Sequence, residues 1–230
     1  MPVADRIYAD VETSSDAYAR RFSGPVGEWF LARQAECTNA LLRDLAAGTR
    51  VLEVGGGHAQ LAPLLIARGF EVTIIGSTPA CAHRLSPWIE RSQVRFEAGD
   101  LLALPVKDRS YDLVLSFRLL PHIEQWEELV GELCRVSARS VVIDYPSSRS
   151  VNMFADRLFA AKKTVEGDTR EFTLFEPSRA ASAITVSASP GFSPPLSARL
   201  KPARRRPASP VISNAHFVTL PSASLTLTVR

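Results

Sequence analysis

Residues 50–70 read RVLEVGGGHAQLAPLLIARGF. A short aliphatic run, Val51 to Val54, leads into three consecutive glycines, after which Leu61, Leu64 and Leu65 recur at helical spacing up to Gly69. The order is strand, glycine turn, helix. Working outward, Glu71 to Ile75 repeats the buried-strand pattern, and Pro79 to Arg91 is predicted as a helix carrying Leu85, Trp88 and Ile89. Further strands are predicted over 94–100, 111–117 and 140–146, with an amphipathic helix over 125–136. Strands that are almost uniformly apolar and alternate with helices imply an α/β fold, a doubly wound, mostly parallel sheet buried on both faces. Ahead of it, Trp29 to Leu45 reads as a helix with Phe30, Cys37, Leu41, Leu42 and Leu45 broadly on one side.

The chain has 230 residues, 46% hydrophobic and 22% charged, the composition of a globular protein with room for one α/β domain and some decoration. No apolar run approaches the roughly 18 residues of a membrane helix, so no membrane span is expected. The first 16 residues, MPVADRIYADVETSSD, carry neither a basic start nor an apolar stretch, and the expected location is the cytoplasm. Cys37, Cys81 and Cys134 are widely spaced and lack metal-ligand spacing, which points to reduced thiols and no metal site. The net charge of +3 conceals an asymmetry: from Arg179 onward there are seven Lys or Arg and no acid, against 20 basic and 24 acidic residues before it. That tail also holds seven of the 16 prolines. The expected division is 1–45 for N-terminal lid helices, 46–178 for the central domain and 179–230 for an atypical basic tail rich in Pro, Ser, Ala and Arg. Such a bias favours disorder and is what an out-of-frame or replaced end of a GC-rich gene would give.

In an open parallel sheet, ligands bind beyond the carboxyl ends of the strands, and the first strand-to-helix turn is the usual nucleotide position. Gly55, Gly56 and Gly57 stand there, lacking Cβ atoms that would keep a ligand off the backbone, with a helix expected from about His58 to offer free N–H groups. The dinucleotide pattern GxGxxG requires a glycine at Gln60 and an acid where Gly76 ends the second strand, and both requirements fail. Glu53, two residues before Gly55, instead directs an acid into the crevice, where it can attract a cationic group or hold a bridging water.

At this point the sequence resembles the class I S-adenosylmethionine-dependent methyltransferases, with a Rossmann-like sheet. The matching pieces are VLEVGGG at 51–57, AGD ending at Asp100, LPVKDRSYDLVLS at 104–116 and RLLPHIEQWEELVGELCRV at 118–136, together covering about residues 45–146. The resemblance implies S-adenosyl-L-methionine as cofactor. It implies that Glu53 and the triple glycine Gly55, Gly56 and Gly57 line its methionine and ribose, that Asp100 and Leu101 lie against the adenine, and that Ser116 and Phe117 close the methionine side. The family usually ends its second strand with an acid for the ribose hydroxyls. Here Gly76 and Ser77 stand in that place, and a hydroxyl of Ser77 or Thr78 is expected to substitute. Tyr18, Arg21, Phe22 and Trp29 resemble the family's N-terminal lid.

His122 follows the fourth strand, where an imidazole could act as general base on an acceptor hydroxyl. Arg118, Tyr145 and Arg149 are expected around an acceptor pocket suited to an anionic substrate, the alternative being a solvated charged surface. Sulfonium transfer is an in-line displacement in which alignment supplies most of the acceleration, so the residues specify the cofactor better than the acceptor. The expected activity is methylation of a small molecule, in the broad group of ubiquinone and menaquinone biosynthetic methyltransferases. No second recognition domain and no Asn-Pro-Pro-Tyr motif argues for a protein or nucleic-acid acceptor, although Arg204 to Arg206 offers a nucleic-acid contact as a minor reading. The competing reading is a cofactor-binding or vestigial module without turnover.

Overall fold

The computed structural model describes residues 8–145. Among these residues five strands form one sheet: β1 (Arg50–Val54), β2 (Glu71–Gly76), β3 (Val94–Ala98), β4 (Tyr111–Ser116) and β5 (Ser137–Ile143), in the order β3-β2-β1-β4-β5. Every neighbouring pair is parallel, with Val51 opposite Val72 on one side and Leu113 on the other. Parallel pairing buries both faces, and the strand residues divide accordingly. Leu52, Val54, Val114 and Val141 point to one apolar cluster, and Val51, Ile74, Leu113, Leu115 and Val142 to the other.

The first cluster is closed by α6 (Trp126–Val136), whose Trp126, Leu129, Val130 and Leu133 recur at helical spacing and are buried. Each such aliphatic side chain contributes roughly 1.5–3 kcal/mol by leaving water. On the other face lie α4 (Ala62–Ala67) and α5 (Ser86–Glu90), together with Leu42 from the end of α3 (Gly24–Leu41). Two short helices, α1 (Ala9–Thr13) and α2 (Asp16–Arg20), precede α3. Ser15 caps α2 by accepting from the Tyr18 N–H.

Several expected boundaries differ. The lid helix α3 begins at Gly24 rather than Trp29, because Pro25 suits a first helical turn. The helix expected over 79–91 is divided into a 3-10 segment, Pro79–Leu85, and the short α5. Pro87 lacks the N–H that would join them into one α-helix. The helix expected from about His58 is instead a single 3-10 turn, Gly56–His58, and α4 starts only at Ala62. The expected boundary between 45 and 46 falls just before β1. The segments expected over 151–163 and 172–175, the boundary at 178–179 and the whole basic tail lie outside the described residues. Among the described residues no helix is long and apolar enough to cross a membrane.

The topology fixes where a ligand can enter. The chain leaves β1 for β2 and β3 on one side and returns to β4 on the other, so the strand order reverses at the carboxyl ends of β1 and β4, where sheets of this kind hold their ligands.

Candidate cofactor site

Gly55 ends β1 in the left-handed region (φ +77°), which an L side chain adopts only with strain, and a Cβ there would come within 2.9 Å of Leu119 Cδ2. The next residues tighten into the 3-10 turn, and a Cβ at Gly56 would meet Glu53 Cδ at 2.5 Å. The glycines thus let the Glu53 side chain fold back beneath the turn.

Glu53 is fully buried, and neither of its carboxyl oxygens makes a hydrogen bond. His58 faces it, with Nε2 at 3.7 Å from Glu53 Oε1. His58 Nδ1 accepts from the Gln60 N–H at 3.1 Å, which leaves the imidazole proton on Nε2. Loss of hydration pushes Glu53 up to about 8, with the charge of Asp144 adding a smaller push, and drives His58 down to about 3. At neutral pH both groups are therefore mainly uncharged, and their contact is not an ion pair. Glu53 is thus a buried acid beneath the glycine turn with hydrogen-bonding capacity that the described residues leave unused.

The remaining candidates divide between the two faces of the sheet and the surface. Ser116 is buried at the end of β4 and donates to Val54 O at 3.1 Å, tying the two strand ends together, while Phe117 is fully buried in the apolar cluster of the α4 face. Leu101 is fully buried. Asp100 is exposed, and its Oδ1 accepts from the Leu102 N–H at 2.8 Å, capping its own turn. His122 is half-buried in a 3-10 turn after β4, and Tyr145 is buried in the α6 cluster, where loss of hydration pushes its hydroxyl up to about 12. Arg149 lies outside the described residues.

Arg118 is engaged by the N-terminal segment. Its guanidinium sits 4.4 Å from the Phe22 ring centroid and 5.1 Å from that of Phe30, and it donates to Gln60 Oε1 at 2.7 Å and Gln34 Oε1 at 2.6 Å. Its backbone N–H donates to Asp144 Oδ1. These contacts join the lid, Phe22 included, to the end of β4, and they occupy the donors expected to face an acceptor. Trp29, also expected in the lid, is largely exposed.

Sequence reasoning did not find α1 at the site. Asp10, Thr13 and Ser14 are all buried. Ser14 stands over Gly57, where an added Cβ would collide with it and with Cys81 O. Asp10 accepts from the Ser77 N–H at 2.8 Å, from the Ser77 hydroxyl at 2.5 Å and from Cys81 Sγ at 3.4 Å. Ser77, expected to offer its hydroxyl to a ligand, thus spends it on Asp10. A five-residue helix has too few turns to show periodicity, and nothing in ADVET marks its acid as buried.

A parallel sheet in this order, with a glycine turn at its switch point, is a Rossmann-like sheet, the fold that class I methyltransferases share. Residues 51–140 match the family model of the methyltransferase domain. Norajmaline N-methyltransferase of Rauvolfia serpentina is 34% identical over 76 residues, 32% of this chain and 26% of that protein. An uncharacterized methyltransferase of Mycolicibacterium vanbaalenii is 28% identical over 149 residues, 60% of this chain and 58% of its own length. The chain therefore spans between a quarter and three fifths of these relatives. Among solved structures, magnesium protoporphyrin IX methyltransferase of Synechocystis PCC 6803, with bound S-adenosylhomocysteine, superposes with a TM-score of 0.59 at 16% identity, covering 76% of this chain and 85% of the other.

Proposed function

We propose that the chain transfers a methyl group from S-adenosylmethionine to a small-molecule acceptor. The observation that carries this reading is the fully buried Glu53, without a hydrogen bond on either oxygen, at the glycine turn of the switch-point crevice. The residues suit the cofactor: Glu53 for its ammonium, the turn at Gly55 to Gly57 for close approach to the backbone, and Leu101 and Phe117 for apolar cover. When bound, S-adenosylmethionine supplies an electrophilic methyl on a sulfonium. The chain's own part is to orient and to exclude water. The Arg118 contacts with Phe22, Phe30 and Gln34 hold the lid against the strand ends, which keeps solvent out and fixes the reacting groups relative to each other. His122 is assigned to take a proton from the acceptor where the acceptor carries one.

The small-molecule acceptor is supported by the described architecture, in which helices close both faces and the crevice is roofed by short segments of the same chain. Calorimetry with S-adenosylmethionine and S-adenosylhomocysteine, followed by methyl transfer to a metabolite panel, tests the proposal. Binding of both with transfer to at least one acceptor supports it. Binding without transfer to any acceptor favours a module without turnover, and absence of binding removes the cofactor assignment.

A further inference from the structure

A nucleoside bound at a glycine turn after the first strand presents its ribose hydroxyls to the end of the second strand, where an acid about 20 residues downstream ordinarily accepts them. In this chain that strand ends in Gly76 and Ser77. Nor is there room for an acid at Gly76, because a Cβ there would lie 2.7 Å from Cys81 Cβ and 3.1 Å from the Phe96 ring. The described structure nevertheless has a carboxylate at this point. Asp10, carried by α1 from a distance of 67 residues in sequence, is fully buried against the Ser77 N–H and hydroxyl and Cys81 Sγ. All three of these partners are neutral, and burying a carboxylate among neutral donors is costly unless something else is gained.

Resting on the function proposed above, we infer that Asp10 is the acceptor for the cofactor's ribose hydroxyls, supplied by the N-terminal helix in place of a strand residue. At the carboxylate itself the exchange is a replacement of one hydroxyl by another. The Ser77 hydroxyl rotates away, a ribose hydroxyl takes its place on Asp10 Oδ1, and the Ser77 N–H continues to hold Oδ2. Because Ser14 on the same segment stands over Gly57, α1 must lift to admit the cofactor and settle again to present Asp10. Ribose recognition and lid closure are therefore one event in this chain.

The test is calorimetry of the full chain with S-adenosylhomocysteine and with its 2′-deoxy counterpart, for the wild type and for Asp10→Ala and Asp10→Asn. The wild type should prefer the ribose form. Asp10→Ala should lose roughly 10- to 100-fold in affinity for the ribose form and very little for the deoxy form, with Asp10→Asn between. Equal losses for both ligands would mean that Asp10 only holds α1 in place, which overturns the inference. Tighter binding of both by Asp10→Ala would make α1 a plug in the crevice and overturn it equally. Failure of the wild type to bind S-adenosylhomocysteine overturns the proposed function and this inference together.

Discussion

Glu53 Oε1 and His58 Nε2 face each other at 3.7 Å inside the fold, and burial has discharged both. The two shifts act on stability in opposite directions. Glu53 holds its proton more tightly in the folded chain, about 8 against an ordinary 4.5, so its contribution is full below pH 4.5 and is lost as pH rises toward 8. His58 is near 3 instead of 6.5, so the fold loses stability as pH falls from 6.5 toward 3. Between pH 4.5 and 6.5 the slopes cancel. Thermal melts of the ligand-free chain should therefore show a plateau in that window and a decline from 6.5 to 8, at most about 1.4 kcal/mol per pH unit from this group. Glu53→Gln should abolish the decline. A slope in the variant as steep as in the wild type would mean that Glu53 is already ionised.

With the ligand's ammonium on Glu53, as proposed, binding becomes proton-linked. A cationic ligand group stabilises the charged carboxylate, so binding below pH 8 requires Glu53 to give up its proton. At pH 7, calorimetry with S-adenosylhomocysteine in buffers of different ionisation enthalpy should register release of roughly one proton per site, falling toward none above pH 9. Glu53→Gln should release none. Proton uptake by the wild type would contradict the assignment.

What was legible in the sequence divides along physical lines. The central strands carry their own signal, because a strand buried on both faces is apolar along its length, and Val51 to Val54 or Leu113 to Leu115 need no partner to be recognised. Glu53 stood out for the same reason, as an acid inside such a run. Asp10 was illegible because its importance arises from a contact 67 residues away, made by a helix of barely more than one turn. Arg118 is expected from the sequence beside an acceptor pocket, since nothing local shows that its guanidinium instead engages Phe22, Phe30, Gln34 and Gln60 from a left-handed backbone (φ +58°). Local pattern identifies elements, whereas the closure of the crevice is a property of their packing.

Arg118 is expected to act as the fastener of the N-terminal segment. Arg118→Ala removes two ring contacts and two charge-assisted hydrogen bonds, together about 2–4 kcal/mol of local stability. Amide exchange in α2 and the first half of α3 should accelerate roughly 30- to 1,000-fold, while β1 and β4 stay protected. Arg118→Lys should restore little, because an ammonium can neither stack on the rings nor reach both glutamines in a fixed plane. Uniform acceleration across the sheet would instead mark Arg118 as a general structural residue.

Gly76 is expected to be required by space alone. Its φ is not positive, so the cost of a side chain comes from Cys81 Cβ and the Phe96 ring. Gly76→Ala should destabilise by about 1–3 kcal/mol, lowering the melting temperature by roughly 2–12 °C. Gly76→Asp should cost more, since it adds a carboxylate among apolar neighbours. An undiminished melting temperature in Gly76→Ala would mean that Phe96 and the Pro79–Leu85 segment yield easily, and that an acid could have been housed on the strand itself.

Asp100 separates a local role from a ligand role in one experiment. Its Oδ1 caps the turn after β3 through the Leu102 N–H, while the side chain remains exposed enough to meet a ligand. Asp100→Ala disturbs both functions at once. Asp100→Ser does not, because a serine hydroxyl can still accept from the N–H two residues on, though more weakly, but is too short to reach further into the crevice. The serine variant should therefore melt within a few degrees of the wild type. If Asp100 accepts from the adenine amine, its S-adenosylhomocysteine affinity should fall about five- to 150-fold, the effect of leaving a buried donor unpaired. Replacing the adenine amine by hydrogen in the ligand should then weaken the wild type and leave the serine variant nearly unchanged. Full affinity in Asp100→Ser would restrict Asp100 to capping its own turn and transfer recognition of the base to the apolar cover around Leu101.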